Sequence, residues 1–389
     1  MSELPDYTDV LVIGAGPTGL ALAATLRAVG VGCCVIDKAE EGHNHSRAVG
    51  TLPRTLEMLH QLEVAERMAE VGNVARRVRI FSRDRDRDIA TLRLDRLRTD
   101  FPYAVLLPQH ATERILLCRL RELGGDVHRP FRLCGLRQSG DEVVATAVDA
   151  VGEKRTLRAA YAVGADGAGS AVRKLIGVDY PGDAFRHRLV LADLQLDGGS
   201  PPDEVHLFFS RAGTVIMGNM PGGLHRVCLS VDDVPHGLTP GTAEELLLER
   251  LPVSRRIHVQ RLATDSDTPV QHRVAERYRT GRVFLAGDAA HTNSPIIGQG
   301  MNLGIQDAIT LGNLLATVFL VGEDDLDAYE RVRRPIARNA VAVTRRIQRL
   351  ATERSAWKGG VRDAVFSVAP RLPAVNRAML ARMTRLIDR

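Results

Sequence analysis

The sequence predicts an α/β protein in which a Rossmann-like nucleotide-binding domain carries an inserted, mostly antiparallel β-sheet domain and ends in helices. Three observations lead to this class. Near the N-terminus an apolar, β-branched run, Asp9-Val10-Leu11-Val12-Ile13, enters Gly14-Ala15-Gly16-Pro17-Thr18-Gly19 and then a helical pattern. A second strand-to-turn element, Gly281 to His291, lies far along the chain and runs on through Pro295 to Gly298-Gln299-Gly300-Met301-Asn302. Between Leu189 and about Val270 strands and turns prevail, and Ala243 to Leu251 is the only longer helical pattern there.

Each part of the first element has a physical task. Gly14 permits the tight turn, Gly16 lets backbone N–H groups approach a pyrophosphate, and Gly19 lets helix and strand pack closely. The helix that follows, with Leu20, Leu22, Ala23, Leu26 and Val29 marking one face, directs its positive N-terminal end at the phosphates. The next strand, Cys33-Cys34-Val35-Ile36, delivers Asp37 about 20 residues after the glycine turn, placed to accept hydrogen bonds from an adenosine ribose. The distant element reads as a buried strand that ends on a carboxylate, Asp288, and turns through glycines into a long helix. Two such elements, far apart, suggest one extended cofactor gripped at both ends, and that points to a flavin.

A helix is expected to open near Pro53-Arg54-Thr55, followed by a strand pair, Val78 to Phe81 with Ile89 to Leu94. After Pro108-Gln109 a helix with Ile115, Leu116, Leu120 and Leu123 on one face stops at Gly124-Gly125. Alternating strands cover Leu133 to Leu136 and Val143 to Val148. Beyond Pro335 a helix is expected from Ile336 to Ala351, and a second, basic one from about Val375 to Ile387. These elements divide the chain into a discontinuous nucleotide-binding domain (1–75, 101–180 and 268–330), a sheet domain (76–100 and 181–267) and a helical segment (331–389).

Composition narrows the function classes. The 389 residues, 44% hydrophobic, suit two domains with a real core. No uninterrupted apolar run of 18 residues occurs, and Met1 to Tyr7 lacks the basic and apolar regions of a secretory signal, so neither a membrane nor export is expected. Five cysteines make neither a disulfide framework nor a metal pattern, which fits a reducing cytoplasm and no metal. The net charge of +5 is spread among acids, as in Arg83-Asp84-Arg85-Asp86-Arg87-Asp88, and few aromatics interleave it. No nucleic-acid partner is expected, only solubility and mild attraction for anionic ligands.

Taken together, the motifs resemble those of single-component, FAD-dependent class A aromatic hydroxylases with the para-hydroxybenzoate hydroxylase fold. Gly14 to Gly19, then Asp166-Gly167 with Ser170, Val172 and Arg173, then Gly287-Asp288 occur in that family's order. Ser46-Arg47-Ala48, Pro53 to Glu57, Pro108-Gln109 and Tyr329 to Pro335 match its pattern too. The resemblance implies that Asp37, with Lys38 beside it, holds the adenosine end of FAD, and that Arg47 lies along the pyrophosphate. It implies that Gln109 contacts the ribityl or pyrophosphate region, and that Asp166-Gly167 touches FAD while helping NAD(P)H to bind. It further implies that Asp288 binds a ribityl hydroxyl, that Pro295 faces the gap between flavin and substrate, and that Gly298, Gly300, Met301 and Asn302 run beneath the ring. Ile297 departs from the family, which often has a second glycine there, and is expected to narrow the pocket.

The implied activity is hydroxylation of a small phenolic or polyketide-like aromatic substrate with NAD(P)H and O2, through a flavin C4a-hydroperoxide, by a monomer or homodimer. Epoxidation, Baeyer–Villiger insertion, or flavin reduction without oxygen transfer are the alternatives. Substrate contacts are expected from the middle sheet. In Val205 to Ser210 one face carries Val205, Leu207 and Phe209 and the other His206, Phe208 and Ser210; Met217 and Asn219 lie opposite Ile216 and Met220. Either face suits a pocket lining. His206, Phe208, Met217 and Asn219 are the candidate substrate residues, and His206 the candidate base for a phenol, alongside Pro295 and Ile297 at the reaction site. His291 is expected to be structural.

Overall fold

The computed structural model describes residues 4–42, 48–84, 86–232, 237–294 and 298–351, together with Leu380 and Thr384. Arg47, Pro295, Ile297 and, apart from Leu380 and Thr384, the helix expected over 375–387 lie outside the described residues.

In chain order the first strands and helices are β1 (Tyr7–Ile13), α1 (Pro17–Ala28), β2 (Cys33–Ile36), β3 (Gly50–Thr51), α2 (Pro53–His60) and α3 (Ala65–Val71). Next come β4 (Asn73–Ala75), β5 (Arg77–Ser82), β6 (Arg87–Arg93), β7 (Ala104–Leu106), α4 (Gln109–Glu122) and β8 (Val127–His128). They are followed by β9 (Arg132–Ser139), β10 (Glu142–Val148), β11 (Lys154–Gly164), α5 (Ala171–Leu175) and β12 (Gly182–Asp197). The middle region continues with β13 (Glu204–Ser210), β14 (Gly213–Asn219), β15 (Leu224–Val231), α6 (Pro240–Leu248) and β16 (His258–Val274). The last elements are β17 (Arg279–Thr280), β18 (Val283–Leu285), β19 (His291–Thr292), α7 (Gln299–Val321) and α8 (Asp327–Ala351).

The nucleotide-binding layer is a sheet ordered β17-β18-β11-β1-β2-β8, with β18, β11, β1, β2 and β8 running parallel. Strands β1, β2 and β18 and the last residues of β11 are buried, largely apolar runs, as strands covered on both faces are. The parallel ends align, with Ile13 opposite both Gly164 and Ile36, and Gly164 opposite Leu285. The ladder extends one residue further on each side of β1, through Gly14 N–H to Ile36 O (2.8 Å), Ala165 N–H to Ile13 O (2.8 Å) and Ala286 N–H to Gly164 O (2.9 Å). That single edge therefore carries the glycine turn, Asp37, Asp166-Gly167 and Gly287-Asp288.

The second sheet is ordered β19-β16-β12-β15-β14-β13-β5-β6 and is antiparallel except where β13 meets β5. Helix α6 covers one face, where its Ala243 and Leu247, with Leu251 just beyond it, bury against Phe208, Met217, Val227 and Leu229. Thr239 caps that helix by accepting from Thr242 N–H (3.1 Å), and Pro240 opens it, so it starts before the expected Ala243. The sheet also passes the expected limit of residue 267. Strand β16 runs to Val274 and pairs with β19, so the sheet takes in residues from the segment allotted to the nucleotide domain.

The C-terminal helix differs from expectation. It does not start after Pro335 but runs unbroken from Asp327, with the proline inside it. Helix α7 is long and apolar enough to cross a membrane, yet it is largely buried, packing on α1 and α8.

Candidate FAD site

At the glycine turn two residues answer to different demands. Gly14 adopts φ +107°, and a Cβ there would lie 2.4 Å from Ala165 O, so the turn is pressed against the Asp166-Gly167 segment. At Gly16, the N-cap of α1, a Cβ would meet no atom within 4 Å. The protein itself does not need a glycine there. An open approach to the first N–H groups of α1 is what a pyrophosphate requires, so the turn fits that part of FAD.

Asp37 is buried, and its carboxylate first serves the fold. Oδ2 accepts from Ala15 N–H (2.6 Å), while Oδ1 accepts from Ala39 N–H (2.8 Å) and lies 3.2 Å from Arg129 Nη1. A carboxylate has about four acceptor positions, so capacity remains for a ribose hydroxyl. Lys38 beside it is exposed. Gln109 opens α4; its Oε1 accepts from Ala48 N–H (3.2 Å) and its Nε2 donates to Glu113 (2.9 Å).

Asp166 caps α5, accepting from Ser170 Oγ (2.5 Å) and from the N–H groups of Ala171 and Val172 (2.6 and 3.2 Å). Gly167 follows at φ +79° with open space around it. Arg173, one turn on and buried, donates from Nη1 to Ala289 O (2.8 Å) and from Nη2 to Ala168 O (2.7 Å). It ties the Asp166-Gly167 segment to the Gly287-Asp288 turn. The Asp288 side chain is exposed at the sheet edge.

The long helix is clasped at both flanks of this edge. Asn302 is fully buried; its Nδ2 donates to Gly50 O (2.8 Å) and Gly298 O (2.7 Å), and its Oδ1 accepts from Leu52 N–H (2.8 Å). Its amide thereby fixes the start of α7 against β3. Gly298 is the left-handed N-cap of α7, and no atom would touch a Cβ there. Gly300 and Met301 follow in the first turn, half-buried. The first-turn N–H groups of such a helix carry partial positive charge, which suits the reduced flavin's anionic edge.

A buried ionic knot stands behind the turn. Asp307 accepts from Gly287 N–H (3.2 Å) and Arg333 Nε (2.7 Å), and lies 2.6 Å from His291 Nε2. Burial opposes its charge, but His291 and Arg333 outweigh that effect and hold the carboxyl below its ordinary range. His291 thus has the structural place expected of it. Asp307, Arg333 and the bracing by Arg173 were not anticipated. Arg173 and Arg333 stand in the matched motifs without a partner named there, and the acid on the buried stripe of a long apolar helix calls for a cationic partner.

The middle sheet resolves which face is which. Gly218 lies against Leu106, since a Cβ there would be 2.9 Å from Leu106 Cδ1, so Val205, Leu207, Ile216 and Gly218 face the nucleotide domain. His206, Phe208 and Met217 occupy the opposite face, under α6 and beside Phe81. Their assignment as substrate contacts is therefore corrected: they belong to a core whose other wall is a helix. His206 is 1% exposed, 2.8 Å from Glu204 Oε2. Burial, opposed by Glu204 and reinforced by the Arg255 charge, brings its imidazole down to about 4. Buried in that core, it lacks the access that a base for a phenol needs. Asn219, at the end of β14, accepts from Asn73 Nδ2 (2.5 Å) and stands 3.2 Å from His225 Nε2. A separate surface cleft of about 540 Å³, lined by Arg279, Gly281, Asp327, Glu330 and Arg331, lies at the other end of β18 and contains none of the expected site residues.

A parallel sheet whose aligned strand ends carry two glycine turns and an acidic loop defines a protein of the dinucleotide-binding class. The chain belongs to the FAD binding domain family, whose model matches residues 7–344. It is 37% identical over 358 residues to rifampicin monooxygenase of Streptomyces venezuelae, covering 89% of this chain and 72% of that one. Among solved structures, anhydrotetracycline hydroxylase from Streptomyces rimosus superposes with a TM-score of 0.82 at 31% identity, over 98% of this chain and 76% of that one. The p-nitrophenol 4-monooxygenase of Pseudomonas putida gives 0.87 at 25% identity, over 98% and 99%. FAD is the cofactor, and the reaction class is monooxygenation.

Proposed function

We propose that this enzyme hydroxylates a phenolic or polyketide-like aromatic substrate, with NAD(P)H as reductant and O2 as oxygen source. The observation that carries the substrate class is the apolar sheet face on which Leu207 and Ile216 pack with Ala104 and Leu380, and Gly218 lies against Leu106. Leu106 pairs with Gly50, and Gly50 O is held by Asn302, so the apolar face and the start of α7 are joined by contiguous contacts. An aromatic ring between them would meet apolar side chains on one side and the flavin on the other, with few groups that demand hydrogen bonds.

FAD, when bound, supplies hydride acceptance and oxygen activation. The chain's own part is to bind, orient and exclude water. The α1 N-terminus and Gly16 would hold the pyrophosphate, Asp37 the adenosine ribose, Gln109 the ribityl or pyrophosphate region and Asp288 a ribityl hydroxyl. The first turn of α7, pinned by Asn302, would offer its N–H groups to negative charge developing on the ring edge. The buried apolar face would keep water from the reacting atoms. The five cysteines are unpaired, which fits a cytoplasmic enzyme.

The test is anaerobic stopped-flow reduction of the holoenzyme by NADH or NADPH against a panel of phenols and polycyclic polyketides. At least one substrate should accelerate flavin bleaching by tenfold or more. No acceleration by any member of a broad panel would overturn this reading.

A further inference from the structure

Two of the four connections between the two domains cross beside the Gly287-Asp288 turn. The outgoing crossing, residues 179–182, pairs with the returning one through Val274 N–H to Pro181 O (3.3 Å) and Glu276 N–H to Asp179 O (3.1 Å). The returning strand then reaches the turn itself through Ala275 N–H to Ala290 O (2.8 Å). Tyr180 lies at this crossing, and its Oη donates to the backbone carbonyl of Asp288 (3.0 Å). Two arginines hold the tyrosine. The Arg173 guanidinium stacks 3.8 Å from the ring centroid, and Arg273 donates from Nη1 to Tyr180 O (2.9 Å) with its guanidinium 6.0 Å from the ring. Arg173 meanwhile holds the next carbonyl, Ala289 O.

Two consecutive carbonyls of the turn are thus drawn toward α5 and the crossing. In a trans peptide the N–H points opposite to the carbonyl, so fixing Asp288 O also fixes the direction of Ala289 N–H. We propose that Tyr180 is a positioning residue for FAD: by holding the Asp288 carbonyl it aims the Asp288 carboxylate and the Ala289 N–H at the cofactor. Its place on the crossing also sets the turn at a fixed distance from the substrate sheet. The proposal rests on the reading of Asp288 as a cofactor residue.

The test uses apoprotein titrated with FAD, followed by flavin fluorescence, for the parent, Y180F, D288N and the double variant. Loss of one hydrogen bond leads us to expect a three- to tenfold weaker FAD dissociation constant in Y180F, with the apoprotein melting temperature within about 2 °C of the parent. A role confined to packing would move the melting temperature and leave the affinity alone. In the D288N background the further loss from Y180F should fall below twofold, because the hydroxyl acts through Asp288. Y180F binding FAD within twofold of the parent, or losses that multiply in full, would overturn the proposal. Parent-like affinity in D288N would instead remove the reading on which it rests.

Discussion

Gly14 and Gly16 stand two residues apart in one motif, and their environments separate folding from binding. Gly14 combines φ +107° with a backbone oxygen 2.4 Å from any added Cβ, whereas Gly16 faces open space. G14A is expected to destabilise the apoprotein by at least about 2 kcal/mol. G16V is expected to leave apoprotein stability within about 0.5 kcal/mol and to abolish FAD binding. Urea unfolding of the apoproteins and FAD titration check both, and a destabilised G16V would contradict the account. Asp307 offers a second test at this scale. D307A strands the buried Arg333 guanidinium without its counter-charge, at an expected cost of about 3–5 kcal/mol in urea unfolding. The glycine spacing and Asp37 were legible because they are local. The contacts of Arg173, Tyr180 and Arg333 were not, although Arg173 and Arg333 fall in matched motifs, because Ala289, Asp288 and Asp307 reach them only through tertiary packing.

Helices α1 and α7 cross closely enough to exclude side chains. A Cβ on Gly304 would sit 2.4 Å from Thr18 Oγ1 and 3.2 Å from Gly287 Cα, and one on Gly312 would sit 2.7 Å from Thr25 Cγ2. G304V should cost about 1–3 kcal/mol by overpacking, and should also weaken FAD binding because Thr18 and Gly287 belong to both turns. G300A, whose Cβ would meet only Asn293 Oδ1 at 3.3 Å, should be near neutral in the same melts. The crossing explains why a long apolar helix follows the second glycine turn, a feature visible as pattern but not as contact. Helix α8 shows the limit of local rules. Pro335 costs an internal hydrogen bond, roughly 3 kcal/mol, and argues for a helix boundary. The boundary is absent because Arg333, buried against Asp307, and Arg334, which donates to Ala275 O (3.1 Å), anchor the helix around the proline. The middle strands likewise declared two apolar faces without saying which one α6 would cover. His206, Phe208 and Met217 went to that helix, and Leu207 and Ile216 to the nucleotide domain.

Across the whole molecule the two glycine turns and the inserted sheet could be read from periodicity and spacing, and the Asp166-Gly167 motif from the family resemblance. The substrate face could not, since it depends on how two domains meet. Stability of the assembled chain should also respond to pH through buried imidazoles. Burial brings His272 down to about 4, helped by Arg345 and opposed by Asp183, and His206 is lowered likewise. The unfolded chain takes up protons below about pH 6.5, whereas the folded chain resists until about pH 4. Stability is therefore lost as pH falls through that window. Thermal melts at pH 7 and pH 5 should show a lower midpoint at pH 5 and a shallower dependence in H272Q; an unchanged midpoint would contradict the assignment.

The measurement that bears most directly on the central claim is oxygen transfer itself. The holoenzyme would be turned over under ¹⁸O2 with NADH or NADPH and the aromatic substrate that most accelerates flavin reduction. The account predicts a product heavier by one labelled oxygen atom. Unlabelled product, with reductant consumed only to form hydrogen peroxide, would contradict it.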